Sequence, residues 1–254
     1  MDSDAWKQFT GIRTRYRREI AKLTDLLPEL RNLQQQLVDS RGTKESHPAY
    51  LVETPVVYNS ALDDIHADSD IRLILVADNP GRREQAAENR RYLVGPSGKI
   101  AEKFFRDNPI LNIDFRKNVI ILNKTPIHTP RTVELKELCK LGGNTLVAAL
   151  NRSQRFMARL LLEFHQVFSD RSGTVIPVWI TGYSEMKKNG VFETYTHELQ
   201  SVYGSSTYKK SVFLYRHFSM NQFTIDLRQQ AAPGEKLSQT LIRIGQAYRK
   251  KYLW

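Results

Sequence analysis

The stretch LVADNPGRREQAAENRRYLVGPSGK, residues 75–99, decides the fold. It begins inside an apolar run, IRLILVA (71–77), of the length and β-branched composition of a buried strand. It ends by opening SGKIAEKFFRD (97–107), whose apolar residues recur at helical spacing, with Ser97 as the expected N-cap. Between the two lie the breakers Pro80-Gly81 and Gly95-Pro96-Ser97-Gly98. A strand, a Gly- and Pro-rich turn and a helix form a βα unit. A backbone of this kind brings N–H groups to an anion at the helix N-terminus.

The unit recurs downstream. KNVIILN (117–123), TVIPVWIT (174–181) and SVFLYRH (211–217) read as strands, and Pro177 points to an edge or bulge position for the second of these. The segments 145–168, 192–203 and 237–253 read as amphipathic helices. Strands alternating with helices predict a three-layer αβα sandwich around a four-stranded, mainly parallel sheet. Ligands of such sheets bind beyond the carboxyl ends of the strands, here Asp78-Asn79, Asn123, Thr181-Gly182 and His217. Upstream, residues 4–39 carry apolar residues at three- and four-residue spacing. Pro28 is expected in the first turn of a second helix capped by Thr24 or Asp25. A polar, loop-like stretch spans 39–50. The expected organisation is an N-terminal helical arm, 1–45, and an α/β domain, 46–254.

Of the 254 residues, 41% are hydrophobic, enough for a sizeable core. The single Cys139 excludes a disulfide framework, a Cys-based zinc site and an iron–sulfur cluster held by this chain. No cofactor or metal is expected. The acidic start Met1-Asp2-Ser3-Asp4 is unlike a signal peptide, and no run of 18 apolar residues occurs, so no membrane partner and a cytosolic location are expected. A net charge of +11 calls for an acidic partner, nucleic acid first. The basic face Arg13, Arg15, Arg17, Arg18 and Lys22 of the first helix reads as solvated rather than as a phosphate track.

The ending GPSGK evokes a nucleotide phosphate loop and fails as one. The first glycine position of G-x-x-x-x-G-K-[ST] holds Leu93, and Ile100 stands where the magnesium-binding hydroxyl belongs.

Read in order, the strand ends resemble the uracil-DNA glycosylase superfamily. Ala77-Asp78-Asn79-Pro80-Gly81 looks like the G-[MI]-N-P-G motif of its mismatch-specific and single-strand-selective branches. Val94-Gly95-Pro96-Ser97-Gly98 is similar to the VG-x-[AS]-G element of the iron–sulfur branch. Leu122-Asn123-Lys124-Thr125 resembles the LN-x-T strand end of the classical branch, and His217-Phe218-Ser219 the H-[PS]-[SG] loop. The match covers roughly residues 53–230. Ala77 replaces the motif's Gly, Phe218 replaces the Pro after the histidine, and the cluster cysteines are missing.

The resemblance implies a monofunctional, monomeric DNA glycosylase that removes uracil or a related deaminated base from single- or double-stranded DNA. Asn79 would position the attacking water, with the more basic Asp78 as its rival; neighbours on an extended strand face opposite ways. His217 would donate to the base oxygen that gains charge. Asn123 offers the donor and acceptor that match the uracil edge. Tyr92 or Leu93 would lie over the base, Tyr92 by stacking. Pro80, Gly81, Gly95, Ser97, Gly98, Lys124 and Ser219 would contact the DNA backbone, and Phe218 or Met220 would wedge into the stack. Arg82, Arg83, Arg90, Arg91 and Arg216 are further phosphate contacts on this reading. A relative that binds nucleic acid without cleaving it is the alternative. A hydrolase of free nucleosides is a third reading, which the charge disfavours.

Overall fold

The computed structural model describes residues 1–42, 49–169 and 175–254. The expected boundary at 45/46, residues 43–48 of the expected 39–50 loop, and Thr174 at the start of the expected third strand lie outside the described residues, while residues 39–42 are helical rather than loop. Two helices come first, α1 (Ser3–Leu26) and α2 (Leu30–Gly42). The α/β part follows in the order β1 (Leu73–Ala77), α3 (Arg82–Gln85), α4 (Pro96–Asp107), β2 (Val119–Asn123), α5 (Glu134–Ser169), β3 (Val178–Thr181), α6 (Glu193–Tyr203), β4 (Val212–Tyr215), α7 (Gln222–Gln230) and α8 (Leu237–Tyr252). The sheet order is β2-β1-β3-β4 and every pairing is parallel.

The short strands are apolar throughout because both faces are covered. Ile74, Val76, Ile120, Leu122, Val178, Ile180, Val212 and Leu214 face a core shared with α1, α5 and α6. Their neighbours Leu73, Leu75, Val119, Ile121, Trp179 and Tyr215 face a second core with Phe104 and Phe105 of α4, Phe223 of α7 and Ile244 of α8. Each such side chain contributes roughly 1.5–3 kcal/mol of burial. The pairing sets Ala77 level with Asn123, and Thr181 level with Tyr215. The carboxyl ends of all four strands therefore open on one rim.

Several local expectations are corrected. β3 is interior rather than an edge. Pro177 precedes the strand and takes part only through its carbonyl, which accepts from Ile74 N at 3.1 Å, so its missing N–H falls outside the ladder. α1 runs on through Thr24 and Asp25, and the Thr24 hydroxyl donates back to the Ile20 carbonyl, so neither residue caps α2. α4 is capped by Gly95 with Pro96 behind it, which places Ser97 inside the first turn. The expected helix at 145–168 begins earlier, at Glu134, with a kink where Gly143 takes φ 61°.

The two N-terminal helices lie on α5. Phe9 meets Phe164 and Phe168 at 5.7 and 5.6 Å between ring centres. Arg152 of α5 forks onto the Glu19 carboxylate of α1 at 2.7 and 3.0 Å. Arg15 pairs with Glu163, and Arg13 and Arg17 with Asp63. Three cations of the basic face on α1 thus serve the fold.

Candidate active site

The rim opens on a cleft of about 1620 Å³, lined among others by Asp78, Asn79, Leu93, Ser97, His217 and Met220. Gly81, Gly95, Gly182 and Ser219 also line it. Asp78 and Asn79, just beyond β1, both reach the cleft.

Asp78 is bound from beneath. Lys124 Nζ lies 2.5 Å from its Oδ1 and 2.6 Å from the Thr181 carbonyl, and sits 5.1 Å from the Phe192 ring centre. Burial holds the Lys124 ammonium below its ordinary pKa, opposed by Asp78. Lys124 is fully buried, so its expected role as a phosphate contact is corrected: its cation neutralises a carboxylate inside the protein. Gly182, at φ +78°, is needed here, since a Cβ would come within 2.6 Å of Asp78 Oδ1. Asn79 is spent differently. Its Nδ2 donates to the Thr129 hydroxyl at 2.9 Å and carbonyl at 3.1 Å. The Thr132 hydroxyl lies 3.1 Å from Asp78 Oδ2 and 3.2 Å from Asn79 Oδ1. Of the two neighbours, Asp78 retains the ionic oxygens at the cleft.

His217 follows β4 and is half-buried. Its Nδ1 accepts from the Ser219 backbone N–H at 3.0 Å. That bond places the proton of the neutral ring on Nε2, which makes no hydrogen bond among the described residues. Burial lowers the pKa of this ring, Asp78 raises it and Lys124 lowers it, with burial prevailing. A neutral imidazole with a free Nε2–H therefore lines the cleft.

Opposite stands Leu93, in the left-handed region at φ 52°. Three contacts hold it there. Arg116 donates to its carbonyl at 2.9 Å. Gly98 passes so close that a Cβ would overlap that carbonyl. The buried Glu84 binds both its loop and the Pro80-Gly81 loop, accepting from the backbone N–H groups of Gly81, at 3.0 Å, and Leu93. Burial pushes the Glu84 carboxyl up to about 7, against the pull of those two N–H groups and of Arg116. Glu84 escaped the sequence reading, although Gly81-x-x-Glu84 carries the spacing of a capping box.

Five expected contacts are corrected, four of them by burial. Tyr92 is inside the core, its hydroxyl donating to the Val57 carbonyl at 2.7 Å and sharing a 2.7 Å bond with Tyr16, so it does not cover the cleft. Phe218 is buried, stacked on Phe223 at 4.3 Å, while Met220, 82% exposed at φ 52°, projects from the same loop. Pro80 is buried and its carbonyl takes the His128 Nδ1–H. The Gly81 N–H already belongs to Glu84, and Gly98 is buried against Leu93. Gly95 and Ser97, at the start of α4, keep their places on the cleft wall. Among the arginines, Arg91 pairs with Asp64 and Arg216 with Asp226. Arg82 lies over the Tyr50 ring at 5.0 Å, and Arg82, Arg83 and Arg90 form no ion pair among the described residues.

Asn123 lies just under the rim, level with the cleft-lining Ala77 and 1% exposed. Its Nδ2 is buried without a hydrogen-bond partner among the described residues. Native interiors rarely leave an amide so. Among the described residues no cluster of three or more His, Cys, Asp or Glu side chains is arranged for a metal ion, and no helix is long and apolar enough to cross a membrane. No protein-family model matches the chain, and no curated protein matches it significantly.

Proposed function

We propose that the chain is a DNA glycosylase that hydrolyses the N-glycosidic bond of uracil or a related deaminated base. The observation that carries this reading is the uncommitted Asn123 amide beneath a rim that also presents the Nε2–H of His217 and the carboxylate of Asp78. A base turned into the cleft beside Ala77 would meet an amide able to donate and accept along its edge. When the bond between sugar C1′ and the base nitrogen breaks, its electron pair leaves with the base. The His217 Nε2–H would bond the base oxygen that gains this charge, and a neutral ring suits that role. Asp78 faces the positive charge that develops on the sugar. Water then adds to C1′ and gives up its proton, either to Asp78 or to the departing base.

Ser97, at the start of α4, would contact a flanking phosphate, as would Arg82 and Arg83, which line the same cleft. Met220 is the side chain available to fill the gap left in the stack. The Asp78–Lys124 pair favours a second reading, nucleic-acid binding without cleavage. A carboxylate already neutralised by a buried ammonium offers less to a sugar cation. Single-turnover assays on oligonucleotides carrying one uracil, hypoxanthine or xanthine, followed by alkali, separate the two. Strand scission at the modified base supports the glycosylase; salt-sensitive binding without scission supports the other.

A further inference from the structure

The cleft does not account for the charge of the chain. Its lining holds six carboxyl side chains against five arginines, so the net charge of +11 must be expressed elsewhere. A second groove, of about 960 Å³, lies at the opposite end of the sheet. Lys209 and Lys210 stand just before β4, whereas His217 stands just after it. Seven residues of largely extended chain put roughly 20 Å between the two sites. The remaining wall is the exposed side of α8, with Arg243, Arg249 and Lys250, and the Trp254 indole. Five cations face one carboxylate, Glu235.

The groove is held in shape by its own charges. Arg249 Nη1 donates to the carbonyls of Lys209, Lys210 and Val212 at 3.0, 2.7 and 3.2 Å, which fastens the lysine turn to α8. Arg243 is spent on Glu235, at 2.7 Å. That leaves Lys209, Lys210 and Lys250 with no ion pair among the described residues, on a backbone that does not need to reorganise. Lys209 Nζ sits 4.8 Å from the centre of the Trp254 ring, whose Nε1 is buried without a partner. Beside them Ile242 is 48% exposed.

We propose that this groove binds a phosphodiester backbone, as a nucleic-acid contact surface separate from the strand-end cleft. Two unpaired ammonium groups on the turn fastened by Arg249 and a third on α8 match successive phosphates, and an indole alongside offers a stacking face to a base. The indole beside the ammonium groups gives a base a ring to stack on, a contact that a lipid headgroup does not use, which sets nucleic acid above an anionic membrane. The site holds whether or not the chain excises a base. A chain with contacts at both ends of its sheet would bind a second DNA segment once the cleft is filled.

The test is the salt dependence of binding to a fluorescein-labelled, undamaged duplex, which offers nothing to excise and so is independent of the glycosylase reading. The wild type is compared with Lys209→Ala/Lys210→Ala/Lys250→Ala, whose side chains make no ion pair or hydrogen bond among the described residues. Loss of three phosphate contacts should flatten the slope of log K against log salt by about 2–3, at about 0.9 per contact. Arg82→Ala/Arg83→Ala, in the cleft, should lower the slope separately and additively. An unchanged slope in the triple variant overturns the proposal. So does a triple variant that keeps its duplex binding but loses binding to phosphatidylserine vesicles, which would assign the groove to lipid.

Discussion

The Nζ of Lys124 lies 2.5 Å from Oδ1 of Asp78, and no part of the lysine reaches solvent. The pair joins the end of β1 to the end of β2 directly beneath the cleft. Removing one member strands the other, which costs more than the pair itself contributes. Lys124→Met should therefore lose about 3–5 kcal/mol. Asp78→Asn/Lys124→Met should recover most of it. Denaturant titration of the two single variants and the double variant gives the coupling, and additive losses would show that the pair is not formed in solution.

Gly98 and the Leu93 carbonyl occupy the same small space. Gly98→Ala places a methyl carbon 1.6 Å from that oxygen, so backbone must move. We expect destabilisation of about 3 kcal/mol or more, with disturbed cleft function even where the variant still folds. Gly81→Ala meets nothing within 4 Å and serves as the control.

Tyr92 separates the core from the site. Tyr92→Phe removes the hydroxyl that bonds Val57 and Tyr16, leaving buried partners unpaired, and should cost about 1–3 kcal/mol of stability. The rate of base excision should stay at the wild-type value. A loss of rate without a loss of stability would return Tyr92 to the site.

Much of this was legible in the residues themselves. The apolar runs ending at Ala77, Asn123 and Thr181 were visible because a strand covered on both faces must be apolar throughout. Asp78, Asn79 and His217 were legible because a parallel sheet presents its strand ends to ligands, and Leu93 through the family resemblance alone; all four line the cleft. What stayed hidden depends on depth. Lys124 and Phe218 have the chemistry of DNA contacts, and only packing shows that both point inward. Glu84 is one acid among several in its loop; its bonds to two loop backbones, at a position 6% exposed, come from the fold. The helix ahead of Gly143 went unread because two glycines resemble a stop, whereas here they mark a kink.

Acid should weaken the fold with a predictable slope. Burial pushes His128 and His165 down to about 4 from 6.5, and Glu84 up to about 7 from 4.5. Between those limits the unfolded chain takes up about two protons on the imidazoles that the native chain refuses, while native Glu84 holds about one that the unfolded chain has released. The imidazoles outweigh the carboxyl, so stability falls as the pH drops through this range. The lowered pKa of His217 acts in the same direction. Glu84→Gln removes the offset and should roughly double the slope. Thermal unfolding of both proteins across this range checks the sign and the ratio.

The most direct test of the central claim is single-turnover release of uracil, hypoxanthine or xanthine from an oligonucleotide, measured for the wild type, Asn123→Ala and His217→Ala. Excision by the wild type, reduced by about 10²–10³ in His217→Ala and also lost in Asn123→Ala while DNA binding persists, is the predicted result. No release by the wild type on any of these substrates, or release unchanged in both variants, would contradict it.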